Sequence, residues 1–379
     1  MAKLGEVCTI ISGSTPKTSV TSYWDGNIKW ITPAELNEDT FYIMDSVRHI
    51  TEEGKEKTGL SYLPTGTVIL SSRAPIGKTA IAGCEMCCNQ GFKNLICSDA
   101  IYNEYLYFFL KSKADYLNSL GRGATFKEIS KSIVESIEIP LPEVNQQKEI
   151  AEKFKKLEQL ISLRKQQYAK LDELVKARFV EMFGDPVSNP FNWLTAELGN
   201  RCEIITGNTP SRAEPENYGT FIEWIKSDNI NTPSTFLTEA QERLSEIGFQ
   251  KCRFVESGSL LMTCIAGSLN CIGNVAVANR RVAFNQQINA ITPTHDNVLY
   301  LYWLMILSKP TIHRTINMAL KGILSKSQLS LIKFPFPPLP LQNQFAAFVE
   351  RVGQQKQTVQ QSLEKLKLMK KALVQEYFG

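Results

Sequence analysis

The sequence predicts an α+β fold in which two strand-rich domains alternate with two long helices. Residues 145–184 contain no proline and, before Gly184, no glycine, and their apolar residues recur with the period of one helix face. The same pattern returns over residues 343–378, where only Gly353 interrupts it. The segments that precede the two helices repeat each other, so the chain consists of two copies of one domain-plus-helix unit.

Both helical stretches are longer than ordinary globular helices, which indicates a coiled coil or a long packed helix. Separate surface helices would expose long apolar stripes to water, so we expect the two to pack antiparallel. Each would be at least about 54 Å long at roughly 1.5 Å per residue. The apolar positions expected to pair the helices are Ile150, Phe154, Leu157, Ile161, Leu171, Val175, Val352, Val359, Leu363, Leu366 and Leu373.

The repeat has an offset of 194 to 198 residues. Residues 4–16 match residues 198–210, and both segments contain the pattern Gly-x-Thr-Pro. Further along, Trp-Ile, Ile-Gly, Asn-Gln and Pro-Leu-Pro recur in the same order in both copies. The sequence therefore divides into a first domain at 1–142, a central helix at 143–184, a second domain at 185–342 and a C-terminal helix at 343–379.

Each domain is expected to be strand-rich, with one short apolar helix. Short apolar runs between Gly, Pro and Ser residues predict strands at 8–11, 68–70, 78–81 and 95–97. The helix is predicted at 104–117 and again at 299–307. Its aromatic residues Tyr105, Tyr107, Phe108 and Phe109 are expected in the core. Residues 185–190 are the expected linker into the second domain.

Composition excludes several classes of protein. The net charge is +4, of which the two helical segments carry +5 and the remainder −1, a balance too mild to establish nucleic-acid binding alone. No apolar run reaches membrane-spanning length, and the N-terminus lacks a signal pattern. Nine cysteines, an odd number, favour free thiols in the reducing cytoplasm. Cys84, Cys87 and Cys88 lack the further ligands that a zinc site needs, so no metal site is predicted.

Two segments resemble known functional motifs, but each lacks a feature that its motif requires. Residues 72–79 look like a phosphate-binding loop, but Ser72 stands where glycine is needed, and a strand rather than a helix is expected to follow. Residues 189–191, Asn-Pro-Phe, resemble part of an amino-methyltransferase motif without its second proline. Turn chemistry explains that segment better. The sequence therefore predicts no catalytic residues.

The order and duplication of the motifs resemble the DNA-specificity (S) subunit of type I restriction-modification enzymes. The resemblance is carried by Leu4-Gly5, the Gly-x-Thr-Pro pattern, Trp30-Ile31, Asn89-Gln90, the Ile-Pro-Leu-Pro segment at 139–142 leading to Gln146-Gln147, and the junction at 183–190. It covers nearly the whole chain. Asn145-Gln146 departs from the Glu-Gln that the family often has at the start of the helix.

The resemblance implies two target-recognition domains held apart by antiparallel helices with pseudo-twofold symmetry. Each domain would read half of a bipartite, asymmetric site in double-stranded DNA. The chain itself would be non-catalytic and hold no cofactor. Two methyltransferase (modification) subunits would bring S-adenosylmethionine for adenine methylation, and restriction/translocase subunits would use ATP and Mg²⁺. No membrane partner is expected. The alternatives are the recognition chain of a related methyltransferase-nuclease system and a coiled-coil scaffold for structural or protein interactions.

The expected DNA contacts lie in loops with basic and small polar residues between strands. Most of these residues would touch phosphate, and a few would reach base edges. In the first domain they are Thr15, Lys17, Arg73, Lys78, Arg122 and Lys127. In the second domain they are Asn208, Arg212, Lys226, Arg280, Arg281, Lys321 and Lys326.

Overall fold

The computed structural model describes residues 1–123, 127–316 and 322–379. The chain packs into two compact units: Met1–Lys165 with Gln361–Gly379 form the first, and Gln166–Gln360 form the second. Each long helix therefore contributes one part to each unit. Both units combine small sheets with short helices and a pair of long-helix segments, so the predicted α+β class is confirmed.

The first unit contains three small sheets. Its strands are β1 (Ala2–Lys3), β2 (Cys8–Ser12), β3 (Trp24–Ile31), β4 (Tyr42–Ile43), β5 (Arg48–Ile50), β6 (Val68–Ser71), β7 (Thr79–Ala82), β8 (Cys87–Cys88), β9 (Phe92–Cys97) and β10 (Glu138–Ile139). Its helices are α1 (Leu4–Val7), α2 (Glu52–Thr58), α3 (Asn103–Ser112), α4 (Ala114–Ser119), α5 (Lys131–Glu135) and the first part of α6 (Val144–Phe183), with 3₁₀ turns at Thr21–Tyr23 and Pro33–Glu35. The strand orders are β2-β9-β6-β7-β4, β5-β3-β8 and β1-β10.

The central strand β6 has a hydrophobic core on each of its faces. Val68 and Leu70 belong to the core that also contains α3 and the start of α6. Ile69 points to the opposite face, where it packs with residues of β3 and β7. Because a strand alternates its side chains, burial on both faces explains why β6 is apolar at every one of these positions.

The second unit repeats this plan. Its strands are β11 (Thr195–Glu197), β12 (Cys202–Thr206), β13 (Tyr218–Ile225), β14 (Arg243–Leu244), β15 (Phe254–Val255), β16 (Leu260–Thr263), β17 (Val275–Val277), β18 (Val282–Phe284), β19 (Ile288–Pro293) and β20 (Lys333–Pro335). Its helices are α7 (Glu246–Gln250), α8 (Val298–Leu307), α9 (Lys309–Arg314), α10 (Lys326–Leu331) and the first part of α11 (Leu339–Phe378), with 3₁₀ turns at Leu198–Asn200, Pro215–Asn217, Ser227–Asn229 and Leu269–Cys271. The strand orders are β12-β19-β16-β17, β14-β13-β18-β15 and β11-β20.

The helix predicted at 104–117 is two helices, α3 and α4, which meet at Lys113. The Lys113 N–H bonds to the carbonyls of Phe109 and Leu110, which ends α3, and the change of direction places Leu117 in the core with no exposed surface. In the second unit Pro310 lies in the first turn of α9, where a proline is tolerated because its missing N–H is not needed. The same break therefore occurs in both units.

The two long helices have 40 residues each. Helix α11 begins at Leu339, four residues before the predicted start, because Pro340 lies in the first helical turn and disrupts no hydrogen bond there. The starts of α6 and α11 are thus 195 residues apart, not the 198 that the Asn-Gln match suggested. At this spacing Gln147 corresponds to Gln342, and Tyr105 corresponds to Tyr300.

Gln147 and Gln342 fasten the two helix starts in the same way. The Gln147 amide donates to the carbonyls of Ala100 (3.0 Å) and Pro142 (2.8 Å), and its oxygen accepts from the Tyr102 N–H (2.8 Å). Gln342 donates to Pro337 (2.8 Å) and to Asp296, and accepts from the Asn297 N–H. Both glutamines are fully buried, so each satisfies backbone groups that water cannot reach.

Within each unit the two helix segments run antiparallel. In the first unit the Phe154 and Phe378 rings stack 5.4 Å apart, and Lys370 pairs with Glu158 at 2.7 Å. A later position on α6 therefore meets an earlier position on α11, as antiparallel packing requires. In the second unit Asp172 pairs with Lys356 at 2.7 Å, and Phe179 packs edge-on against Phe345.

Burial along the helices follows the apolar stripe. The predicted pairing residues that the structure buries are Ile150, Phe154, Leu157, Leu171, Val175, Val352, Val359 and Leu363. Ile161, Leu366 and Leu373 are half-buried.

The segment after α6 is a tight turn. Gly184 closes the helix with a positive φ of 77°, a conformation that glycine adopts without strain. The Asn189 side chain accepts from the Trp193 N–H (3.0 Å) and donates to the Trp193 carbonyl (2.9 Å), and the Trp193 indole donates to the Phe183 carbonyl. These bonds account for the Asn-Pro-Phe segment as a turn.

Candidate nucleic-acid interface

Several loops of the first unit meet at one end of its sheets. The register pairs Ser12 with Lys93 and Ser71 with Phe92, so β2 and β6 end where β9 begins. We call this the loop end; in the first unit it comprises residues 13–20, 32–41, 72–78, 89–91, 121–123 and 127–130. Backbone hydrogen bonds join its loops, including Ser72 N–H to the Gly91 carbonyl (2.7 Å). Predicted contact residues from distant parts of the sequence are thereby brought together.

A small structure that we call the clip joins two of these loops. The Trp30 indole donates to the Ser14 carbonyl (3.0 Å), and the Thr15 hydroxyl donates to the side-chain oxygen of Gln90. A Cβ at Gly13 would collide with the carbonyl oxygen of Asn89, so glycine is required there. Hydrogen bonds and close packing therefore hold the 13–16 loop against the 89–91 loop.

The second unit contains the same clip. The Trp224 indole donates to the Asn208 carbonyl (3.3 Å), and the Thr209 hydroxyl donates to Gln286. A Cβ at Gly207 would collide with the carbonyl oxygen of Asn285. The Gly-x-Thr-Pro and Asn-Gln repeats of the sequence are thus two halves of one structure.

At the loop end of the first unit, Arg73 belongs to a charged cluster. Glu128 accepts from Arg73 at 2.9 Å and from Lys93 at 3.2 Å, and the Lys93 side chain is buried. Burial tends to raise the pKa of Glu128, but its bonds to Arg73 and Lys93 prevail and lower that pKa. The carboxylate therefore stays ionised and offsets the charge of Arg73.

The other predicted residues of the first unit differ in whether their side chains are free to contact a ligand. The Lys78 ammonium donates to the carbonyls of Pro33 and Leu36, and its loop leads into a strand, so residues 72–79 are not a phosphate-binding loop. Lys17, Arg122 and Lys127 are exposed, and within the described ranges no acidic side chain pairs with them. The Arg122 backbone pairs with that of Glu128.

In the second unit, Arg212 and Lys226 share the carboxylate of Glu242. Arg212 lies 2.9 Å from Glu242 and 63% of its side chain is exposed, while Lys226 is half-buried. The Arg212 guanidinium also lies over the Tyr218 ring at 5.2 Å. One carboxylate cannot neutralise two cations, so this group retains a net positive charge.

The remaining residues of the second unit are engaged or lie elsewhere. The Asn208 side chain bonds to the backbone of Lys251 and Arg253. Arg280 and Arg281 precede β18, at the end of that strand opposite to Gln286, and pair with Glu223 (2.6 Å) and Glu256 (2.6 Å) respectively. Lys326 is exposed in the first turn of α10, and Lys321 lies outside the described residues.

The structure singles out two further residues, Gln90 and Gln286. Gln90 is exposed at the loop end of the first unit, and Gln286 is exposed in the matching 285–287 loop, which lies at the loop end of the second unit. The sequence signals them only through the repeated Asn-Gln pair. An uncharged side chain in a loop gives no sign of DNA contact by itself, so a search for basic residues passes over it.

Other site classes find no support in the part of the chain that the structure describes. There, no three His, Cys, Asp or Glu side chains lie close enough together to hold a metal ion. The three cysteines of the 84–88 cluster are free thiols, and burial raises the pKa of Cys87 to about 11. Of the described helices, none is both long and apolar enough to cross a membrane.

Comparison with known proteins agrees with the duplicated architecture. A family model described as the type I restriction modification DNA specificity domain matches residues 1–173 and 190–368. The MjaIX type I restriction enzyme specificity subunit of Methanocaldococcus jannaschii is 35% identical over 229 residues, which cover 55% of this chain and 53% of the relative. The matched part thus spans about half the length of that curated relative.

Two solved structures share the fold. One, from work on complex assembly and conformational transition of the type I restriction-modification system, has a TM-score of 0.65 at 18% identity and covers 100% of this chain and 96% of the other. The second, the S subunit of a type I system from M. genitalium, has a TM-score of 0.60 at 15% identity and covers 100% and 95%. With a family match to both halves, the chain belongs to the type I restriction-modification DNA-specificity family.

Proposed function

We propose that this chain is the DNA sequence-specificity subunit of a type I restriction-modification system. The observation that carries the proposal is a pair of units with one shared frame and different loops. Each unit holds the same clip, yet Arg73 and Lys78 in the first unit correspond to Ile265 and Asn274 in the second. Equal frames place the two loop ends in the same way, and unequal side chains read different bases. The recognised site is therefore bipartite and asymmetric.

The positive charge at the loop ends allows them to contact the phosphates of DNA of any sequence. Exposed Lys17, Arg122 and Lys127 in the first unit, and Arg212 in the second, can reach phosphate oxygens. Arg73 and Arg212 have carboxylate partners, so their contact with DNA requires that an ion pair be exchanged. The exposed cations supply affinity, and the uncharged loop residues between them are placed to supply selectivity.

The chain would act without catalysis of its own. Family membership supports two methyltransferase subunits as partners, with S-adenosylmethionine as their cofactor and adenine as the methylated base. Restriction/translocase subunits would add ATP- and Mg²⁺-dependent cleavage. The working place of such a complex is the cytoplasm, where the host DNA lies. The related alternative, a methyltransferase-nuclease system with the same recognition chain, uses the same DNA contacts.

Sequencing of methylated adenines in the host genome, with the gene present and deleted, tests the function. One bipartite motif with two different half-sites should be methylated only when the gene is present. A matched control is a gene copy carrying Gly13→Val and Gly207→Val, because each added side chain collides with the neighbouring loop. That copy should restore no methylation. An unchanged methylome on deletion would favour the scaffold alternative.

A second experiment tests the expected role of the helices as a ruler. Four residues inserted after Lys165 add about one helical turn, roughly 6 Å. The unread spacer should lengthen by about one or two base pairs, at roughly 3.4 Å each, while both half-sites stay the same. The control for helix length is a variant without insertion, in which exposed residues at the same place are replaced by alanine or glutamine: Lys165, Gln166, Gln167 and Ala169. New half-site bases with the old spacer would reject the ruler.

A further inference from the structure

The clip is the part of the loop end that both units share. Five residue types are identical at corresponding positions: glycine, threonine, tryptophan, asparagine and glutamine. The proline after the threonine is also shared, but positions beyond it differ; Lys17 of the first unit, for example, corresponds to Ser211 of the second. A feature kept in both units serves something that the two have in common.

Three of the five residue types have a reason inside the protein. The glycines leave room for a neighbouring carbonyl, and the buried tryptophans pack in a core and donate to the loop. The asparagines cap their own loops: the Asn89 side chain accepts from the Gly91 N–H (2.9 Å), and that of Asn285 accepts from the Gln287 N–H (3.1 Å). Replacing any of these would disturb the fold of the loops.

For the glutamines, the bond to threonine accounts for the side-chain oxygen but not for the NH₂ group. Gln90 and Gln286 are exposed, and the side chain of each bonds only to its threonine among the described residues. The threonine hydroxyl donates to the glutamine oxygen, so the amide group is held with its NH₂ unused. Each unit therefore presents two oriented N–H donors at its loop end.

Two domains that read different bases still meet one chemical group in common, the phosphodiester. Amide side chains are regular donors to DNA phosphate. Bidentate recognition of adenine by glutamine uses the side-chain oxygen as an acceptor as well as the nitrogen, and here the threonine hydroxyl already occupies one of the two lone pairs of that oxygen. The shared geometry thus favours an acceptor-only ligand.

We propose that Gln90 and Gln286 donate to DNA phosphates, and that Thr15 and Thr209 position them. The proposal rests on the proposed function and names one contact of that site. It gives both half-sites the same backbone anchor, so that the clip sets the register of each unit on DNA while the differing loops read bases. A purely structural role, in which the bond merely fastens two loops, is the competing explanation.

Replacement of glutamine by glutamate separates the two explanations. In Gln90→Glu and Gln286→Glu the threonine still finds an oxygen acceptor, so the fastening is kept. The NH₂ donors are lost, and a negative charge faces the phosphate. Since a hydrogen bond to a charged group is lost, each change should weaken DNA binding about tenfold or more.

The measurement is the affinity of the complex reconstituted with its modification subunits, by fluorescence anisotropy, for cognate DNA and for DNA of shuffled sequence. Affinity for both DNAs should fall by the same factor, and the methylated motif should not change. Gln159→Glu and Gln354→Glu, which alter exposed helix residues by the same charge, are the matched controls. Thermal melting verifies that all four variants fold like the wild type.

Binding equal to the controls would overturn the proposal and leave the clip a structural fastener. A changed methylation motif would overturn it too, since the glutamines would then read bases. Gln90→Ala and Gln286→Ala add a check: they should weaken binding less than glutamate, because they remove the donor without adding charge. A wild-type complex that binds neither DNA would reject the proposed function itself, and the inference with it.

Discussion

The two units have the same backbone plan but place their charges differently. In the first unit, Glu158 accepts from Lys111 (3.1 Å) and Lys370 (2.7 Å). At the 195-residue spacing, the second unit has Gly353, Ile306 and Val175 at these positions. The cluster of Arg73, Lys93 and Glu128 likewise has uncharged counterparts, Ile265, Asn289 and Ile323.

The clearest replacement of a charged residue by an apolar one is found in helix α3 and its counterpart α8. Glu104 is 4% exposed and bonds to Lys155 (2.9 Å) and to the Tyr42 hydroxyl (2.6 Å). Its counterpart in α8 is Leu299, which is 7% exposed and packs in the core. A paired carboxylate and a leucine therefore fill the same place in two copies of one fold.

What both units keep instead is the satisfaction of buried backbone groups. Gln147 and Gln342 make matching bonds, and Tyr105 and Tyr300 both donate to a proline carbonyl at 2.8 Å. A buried backbone N–H or carbonyl that lacks a hydrogen-bond partner destabilises the fold, and no apolar side chain can replace that partner. A buried ion pair, by contrast, can be replaced by apolar side chains with little loss. The fold is therefore fixed more firmly by backbone hydrogen bonds than by the placement of its charges.

The largest effects should come from the aromatic residues at the ends of the long helices, where the units agree. Phe378 packs against Tyr105 at 5.3 Å, and Phe183 packs against Tyr300 at 5.0 Å. Phe378→Ala and Phe183→Ala should each lower the free energy of unfolding by about 3–5 kcal/mol. Denaturant titration measures the loss, and the control Leu368→Ala, at a 67% exposed position, should cost about 0.5 kcal/mol or less. Clearly unequal losses for the two phenylalanines would break the equivalence.

The buried glutamines should come next. Gln147→Leu leaves two carbonyls and one N–H without partners, at a cost of about 3 kcal/mol. Gln342→Leu leaves the Pro337 carbonyl and the Asn297 N–H without partners, at a cost of about 2 kcal/mol, because Asp296 still accepts from Arg201. Hydrogen exchange, read by mass spectrometry, should show the lost protection in the unit that carries the change. Gln146→Leu, one residue earlier and exposed, is the control. If the leucine variants kept wild-type stability, the backbone-bond account would be wrong.

The two units should lose stability at different pH values as the pH is lowered. Burial tends to raise the pKa of Glu104, but its bonds to Tyr42 and Lys155 prevail and lower that pKa; the pKa of Glu128 is lowered in the same manner. A lowered pKa contributes stability above the unfolded-state value of about 4.3, and that stability is lost as the pH falls through the folded-state pKa. The second unit has Leu299 and Ile323 at these places, so the first unit should lose exchange protection at the higher pH.

The double variant Glu104→Gln, Glu128→Gln is the matched test of that cause. It should be less stable than the wild type at pH 7, by about 2 kcal/mol, and the difference should shrink below about pH 4. Loss of protection in both units at one pH, or a variant that keeps the wild-type acid profile, would contradict the role given to these carboxylates.

The smallest effect is expected from Arg73, which is 44% exposed in its side chain. Arg73→Met should change stability by about 0.5 kcal/mol or less, because Lys93 still pairs with Glu128. Its effect on DNA affinity should also be smaller than that of Arg122→Met, since Arg122 has no carboxylate partner in the described part of the chain. Equal losses of affinity from the two changes would show that the ion pair with Glu128 opens on DNA.

The sequence by itself determined the long helices, the repeat and the first strands. The helices and strands follow from the local periodicity of apolar residues, and the repeat follows from the order of motifs along the chain. The strand predicted at 8–11 is Cys8–Ser12, and the helix predicted at 145–184 is Val144–Phe183. Those signals need no knowledge of which distant residues meet. The family resemblance rested on the same order of motifs.

Only the tertiary structure decided what the side chains do. Arg73 meets Glu128 across 55 residues, and Gln90 meets Thr15 across 75, and neither pairing leaves a trace in local pattern. Helix α11 begins four residues before its predicted start, because a proline predicts a helix break and yet is tolerated in the first helical turn. Charge alone therefore predicts basic loop residues as DNA contacts, whereas the partners of these residues, and the uncharged glutamines beside them, are defined only by the sheets that bring the loops together.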